Sequence, residues 1–186
     1  GGMEYPVEAS LPERVYVGKN PWIARGAMFG CITEWLGKTY DGKIFLGDDV
    51  RIREDVQISA AASISIGSGT SVGSNSMLLD HFHNLLAMET PPASQPLTRP
   101  KPIGIEENCY LGAQVMVGPG VRIGKGSVIG FGCQVLRDVL PYSMLVNEPA
   151  DIARPYDPEA GCWRTLKFPR HGIDLRRKKK GRPDDE

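Results

Sequence analysis

Aliphatic residues recur every six positions through the later half of the chain, separated by glycine and polar residues. From Ile105 the sequence divides into IEENCY, LGAQVM, VGPGVR, IGKGSV, IGFGCQ and VLRDVL. Ile105, Leu111, Val117, Ile123, Ile129 and Val135 open the six hexads. Gly112, Gly118, Gly124 and Gly130 follow four of them, and place five is always small or β-branched. A six-residue period fits neither a helix nor the plain alternation of an open strand. It predicts an all-β solenoid in which each hexad is one side of a triangular coil and three hexads close a turn. The opening aliphatic points inward and stacks on its equivalents in neighbouring coils, and parallel strands pair between coils. Glycine at the corners suits a positive φ or a site where a Cβ would crowd.

The same period runs further back. LGDDVR from Leu46, IREDVQ from Ile52 and ISAAAS from Ile58 are followed by a two-residue slip at Ile64-Ser65. The register resumes with IGSGTS from Ile66, VGSNSM from Val72 and LLDHFH from Leu78. A weaker repeat begins at Val17 and is interrupted from Trp35 to Lys43. Phe82, at place five, is too large for its slot and marks a disturbance at Asp80-His81-Phe82-His83. Residues 84–102 then leave the pattern and carry five prolines (Pro91, Pro92, Pro96, Pro100, Pro102), which excludes a regular ladder. A long insertion at a solenoid corner often builds a binding face, and this one is expected to fold over a neighbouring subunit near His81.

This organisation predicts an N-terminal arm with irregular first coils (3–45), a β-helix with its protruding loop (46–140), a C-terminal cap (141–175) and a flexible charged tail (176–186). Gly1-Gly2 ahead of Met3 is read as a cloning remnant and set aside.

Composition narrows the function. Lys plus Arg and Asp plus Glu both number 22, so the formal charge is zero and there is no global case for nucleic acid. Four cysteines lack CxxC spacing, and Cys109 and Cys133 fall at place five, so they read as buried free thiols. With no signal peptide and no long apolar run, a cytoplasmic protein is expected. Arg176 to Arg182 hold six basic residues and read as a solvated tail, at most touching an anionic membrane surface peripherally.

Three segments resemble the hexapeptide-repeat acyltransferases, in the maltose/galactoside and surface-polysaccharide O-acetyltransferase branch: DHFH (Asp80 to His83), the run PIGIEENCYLGAQVMVGPGVRIGKGSVIGFGCQVLRDV, and NEPADIAR. The likeness runs from about Leu46 to Arg154. It implies a left-handed parallel β-helix and a homotrimer with active sites in the clefts between subunits. It also implies acetyl-CoA as co-substrate and direct transfer to a hydroxyl of a small saccharide or a surface-polysaccharide precursor.

By the motif match, His81 takes the place of the catalytic base. That role suits a neutral imidazole whose other ring nitrogen is held by a carbonyl or carboxylate. Asp80 is adjacent, but successive strand residues point to opposite faces, so the group that orients His81 stays open and Asp80 is assigned, with His83 and Asn84, to the acceptor side. The backbone N–H of Ala113 is the expected oxyanion donor. Gly112, Ala113, Gly130, Phe131, Arg137 and Arg154 match coenzyme-binding positions, while Asn147, Glu148 and Asp151 depart from the family's usual residues. His81 and His83 could form half of a metal site, but the third histidine, His171, lies in the tail, and no metal is expected. Two other functions stay open: a non-catalytic trimeric binding or assembly module, and a sugar-nucleotide N-acetyltransferase.

Overall fold

The computed structural model describes residues 1–4, 6–146, 152–157, 160–163 and 166–167. The hexads stack as a three-faced parallel β-helix. Face A holds Gly2–Met3, Trp22–Ile23, Arg51–Ile52, Ser71–Val72, Tyr110–Leu111, Val128–Ile129 and Ser143–Val146 in order. Face B holds Glu8–Ala9, Met28–Cys31, Gln57–Ala60, Met77–Leu79, Met116–Val117 and Gln134–Val135. Face C holds Val15–Val17, Lys43–Leu46, Ser63–Ile66, Ile103–Ile105 and Arg122–Ile123, extended by a parallel bridge from Ile123 to Val139. Coils are numbered one to six from the N-terminus.

The opening aliphatics form the core. Ile52, Val72, Leu111 and Ile129 stack inward from face A, Ile58, Leu78, Val117 and Val135 from face B, and Leu46, Ile66, Ile105 and Ile123 from face C, all buried. Each such side chain contributes about 1.5–3 kcal/mol of burial free energy. Polar place-five residues meet their own needs inside: Thr70, Ser76 and Ser127 each donate a side-chain hydrogen bond to a carbonyl of the next coil and accept one from a backbone N–H there. The stretch 3–45, expected as an arm with irregular coils, contributes two coils paired in register with the rest. The slip at Ile64-Ser65 lengthens the strands on both sides of the B–C corner, so that Ile44, Ile64 and Ile103 align.

The corners divide the work expected of glycine. Left-handed φ falls at place four, at Asn108 (56°), Gln114 (57°), Gly120 (81°), Gly126 (64°) and Gly132 (68°). Place-two glycines serve the close approach of the next coil instead: a Cβ on Gly112 would lie 2.8 Å from Phe131 N.

Both interruptions leave the helix at the B–C corner. In coil two a hairpin pairs Glu34–Trp35 with Lys38–Thr39. In coil four the long loop leaves at Asp80 and rejoins face C at Ile103. After coil six, Ile152–Asp157 runs antiparallel along Ser143–Val146 and covers that edge. The basic tail, Asn147, Glu148 and Asp151 lie outside the described residues. Among the described residues no helix is long and apolar enough to cross a membrane.

Candidate active site

The DHFH segment follows Met77–Leu79, where the chain turns out of face B. Asp80 has left the strand, so strand alternation does not govern it, and its carboxylate turns inward, fully buried. Its Oδ1 accepts from the Ala61 N–H (2.8 Å) and its Oδ2 from the Ala62 N–H (2.7 Å), at the same corner one coil earlier. His81 Nδ1 lies 2.7 Å from Asp80 Oδ1. This corrects the expectation that Asp80 contacts the acceptor: a wholly buried carboxylate with three donors around it has no surface to offer. It holds the His81 ring through Nδ1.

A carboxylate at Nδ1 selects the tautomer with the proton on that nitrogen and leaves the Nε2 lone pair free. His81 keeps 8% exposure. Among the described residues every fully buried side-chain nitrogen or oxygen has a hydrogen-bond partner. Nε2 makes no hydrogen bond, so it is the ring atom that reaches the surface. An imidazole anchored in this way can take a proton from a hydroxyl and hold the resulting charge against Asp80.

The loop closes over its own stem. Thr98 N–H donates to Phe82 O, Phe82 N–H to Thr98 Oγ1 and Lys101 N–H to Asp80 O. Buried Gln95 fastens the interior: Nε2 donates to the carbonyls of Ala87 and Thr90, and Oε1 accepts from Ala87 N–H. The Gln95 carbonyl accepts from Trp35 Nε1 at 3.0 Å, joining loop and hairpin within one chain. His83 is exposed and stands edge-on to Trp35, ring centroids 5.2 Å apart. Asn84 Oδ1 accepts from Leu86 N–H and shapes the start of the loop. Trp35 and Gln95 therefore tie the loop to the hairpin beside His83, a link that only a tryptophan inside a repeat interruption hinted at in the sequence.

The remaining candidates lie elsewhere. Ala113 and Phe131 occupy the A–B corner of coils five and six, directly stacked: Gly132 N–H donates to Ala113 O and Gly112 N–H to Ile129 O. Among the described residues the N–H groups of Ala113 and Phe131 make no hydrogen bond, and Gly112 and Gly130 beside them carry no side chain. Tyr110 and Phe131 add exposed ring surface there. Within one chain this corner is separated from His81 by the whole of face B, about 16 Å for a five-residue side. Arg137 does not join it either. It is exposed after Gln134–Val135, on the B–C edge that carries His81. Arg154 lies in the antiparallel strand opposite Met144. The coenzyme candidates are thus divided among the A–B corner, the B–C edge and the last strand of face A, because positions close in sequence fall on different sides of the triangle. Among the described residues no three His, Cys, Asp or Glu side chains are grouped to hold a metal.

Comparison with known proteins agrees with this architecture. Residues 102–137 match the bacterial transferase hexapeptide family (six repeats). The galactoside O-acetyltransferase of Lactococcus lactis is 48% identical over 54 residues, 29% of this chain and 26% of that protein. The match to such curated relatives spans under a third of their length. Among solved structures, the N-acyltransferase AntD of Bacillus cereus, in complex with dTDP and 3-hydroxybutyryl-CoA, superposes with a TM-score of 0.64 at 12% identity. It covers 89% of this chain and 78% of its own. A Vibrio cholerae hexapeptide-repeat acetyltransferase complexed with acetyl-CoA gives 0.54 at 19% identity, covering 90% and 67%. At such identities the likeness concerns the fold. Its repeat, its three-faced coil and these likenesses together give the chain the fold of a left-handed parallel β-helix built of hexapeptide repeats.

Proposed function

We propose that the chain is the protomer of an acetyl-CoA-dependent O-acetyltransferase acting on a saccharide hydroxyl. The observation that carries this reading is the Asp80–His81 pair: an imidazole with one nitrogen fixed by a buried carboxylate and the other open to the surface. A saccharide hydroxyl is a weak nucleophile and gains from such a base, typically by about 10²–10⁴-fold.

The coenzyme fits the A–B corner. Two stacked, unpaired N–H groups at Ala113 and Phe131 and the bare glycine edge beside them suit an extended chain carrying amide and thioester carbonyls. Acetyl-CoA supplies the activated acyl group and a thiolate leaving group. His81 Nε2 takes the hydroxyl proton as the oxygen attacks the carbonyl carbon, and returns it to the departing sulfur. The Ala113 N–H donates to the carbonyl oxygen as negative charge gathers there, a contribution of about 3–4 kcal/mol to the barrier in comparable sites. Since these groups occupy different edges, the reading requires a homotrimer in which the His81 edge of one copy faces the Ala113 edge of the next. Trp35, His83 and the loop then wall the acceptor side.

The test is His81→Ala in a saccharide panel assayed for acetyl transfer. Activity is expected to fall by several orders of magnitude with the oligomer and its melting curve nearly unchanged. Retention of most activity would exclude this mechanism.

A further inference from the structure

One cluster on face A has no part in this chemistry. Trp22, Arg51 and Arg53 line an open cleft of ≈ 720 Å³ at the N-terminal end of the face, with Asn20 and Asp49 beside them; Gly1 and Gly2, read above as a cloning remnant, close its end and form no part of the site. Trp22 and Arg51 are cross-strand neighbours. The Arg53 guanidinium lies over the Trp22 ring, 4.7 Å from its centroid. Glu54 Oε1 takes one contact from Arg53 Nη2 at 3.1 Å, and Glu54 Oε2 is held by the Ser74 hydroxyl at 2.6 Å. A guanidinium has five N–H donors. Arg53 is therefore fixed in orientation on two sides while most of its donors still face outward. Arg51 is exposed, and its guanidinium makes no hydrogen bond or ion pair among the described residues. Asp49 lines the cleft and Glu54 pairs with Arg53, which leaves the Arg51 guanidinium as the one without a carboxylate contact among the described lining residues.

Position gives the cluster meaning. In register, Arg53 stands above Gly73 and Gly73 above Gly112, as Glu54 stands above Ser74 and Ser74 above Ala113. Arg53 thus shares the Ala113 edge, two coils toward the N-terminus, or about 10 Å at the usual strand spacing. A group bound there is about one sugar ring beyond a hydroxyl poised over the Ala113 N–H. A planar, pre-oriented guanidinium beside a second, unpartnered one is suited to bidentate recognition of a phosphate or carboxylate.

We propose that Arg51 and Arg53 form an anion subsite that receives a phosphate or carboxylate group of the acceptor. The acceptor is then an acidic saccharide, a sugar phosphate or a uronic acid, rather than a neutral sugar. Its role in the acceptor rests on the acyl-transfer reading above; anion binding by itself does not.

The experiment is calorimetric titration of the full chain at low salt with glucose 1-phosphate, glucuronate, inorganic phosphate and glucose. Wild type and Arg51→Ala/Arg53→Ala are compared, together with His81→Ala. At least one anionic sugar is expected to bind about ten- to hundredfold more tightly than glucose, with an affinity that falls as salt rises. The double variant should lose that preference while its melting temperature is unchanged. A preference for glucose 1-phosphate identifies a phosphoester acceptor, and one for glucuronate a carboxylate. Equal binding of charged and neutral sugars, or an undiminished preference in the double variant, overturns the proposal. His81→Ala should bind the anion as wild type does. If it also transfers acetyl groups as wild type does, the acyl-transfer reading falls while the anion site stands.

Discussion

Replacing Asp80 by Asn tests the construction of the site most directly, because it changes hydrogen-bond polarity with almost no change of shape. The carboxylate accepts from Ala61 N–H, Ala62 N–H and His81 Nδ1, all within 2.8 Å, in a place with no solvent exposure. An amide offers one oxygen and one NH₂ group. With the oxygen at the Oδ1 position, the NH₂ confronts the Ala62 N–H, donor against donor, at about 1–3 kcal/mol for the unpaired buried group. With the amide reversed, NH₂ confronts Ala61 N–H and His81 Nδ1, which must then become an acceptor. That moves the imidazole proton to Nε2, where the base needs its lone pair. In both arrangements the negative charge that would balance a protonated imidazole is gone. The expected result is a loss of about 10²–10⁴-fold in kcat with KM for both substrates little changed. A melting temperature lower by about 4–8 °C follows from some 2 kcal/mol in a chain of this size. Loss of the thioester absorbance reports turnover without interference from protein thiols, and nitrogen NMR of the His81 ring reports the tautomer. A variant with kcat within about threefold of wild type and an unmoved tautomer would refute the positioning role assigned to Asp80.

Gln95→Ala removes three backbone contacts inside the loop, and limited proteolysis should then cut between residues 84 and 94 much faster while the melting of the coils stays put. In Gly112→Ala the new methyl would sit 2.8 Å from Phe131 N and 3.1 Å from Gly130 C, so denaturant titration should show a loss of about 1–3 kcal/mol. Cys31, Cys109 and Cys133 are buried, and burial raises all three thiols above their ordinary range, whereas Cys162 is exposed. A thiol reagent at neutral pH should therefore modify one cysteine quickly and three more only after unfolding; fast reaction of two or more would contradict the packing of the corners.

The coil was legible because its cause is local and repeated. An aliphatic at place one and a small residue at place five recur in one register, and one cross-section satisfies every hexad. The loop was legible for the opposite reason: prolines and a bulky Phe82 break that register. The motif singled out His81, but nothing in it showed that the Asp80 carboxylate turns inward against the ring. Asp80 faces inward because the backbone N–H groups of Ala61 and Ala62, nineteen and eighteen residues earlier, converge on it at the corner of the coil above.

Which face and edge a residue occupies depends on the whole triangle, and that decided the rest. Ala113 and Arg137 belong to one continuous run in the sequence, yet a full side of the prism lies between them. Arg53 is sixty residues from Ala113 in sequence, yet two coils away on the same edge. Trp35 meets His83 because two insertions, with one coil between them, leave the helix at the same corner. The sequence by itself determined the repeat, its inward aliphatics and the place where it breaks, since those follow from spacing along the chain. Only the tertiary structure decided which side chains meet, because winding by threes brings together residues that no periodicity pairs.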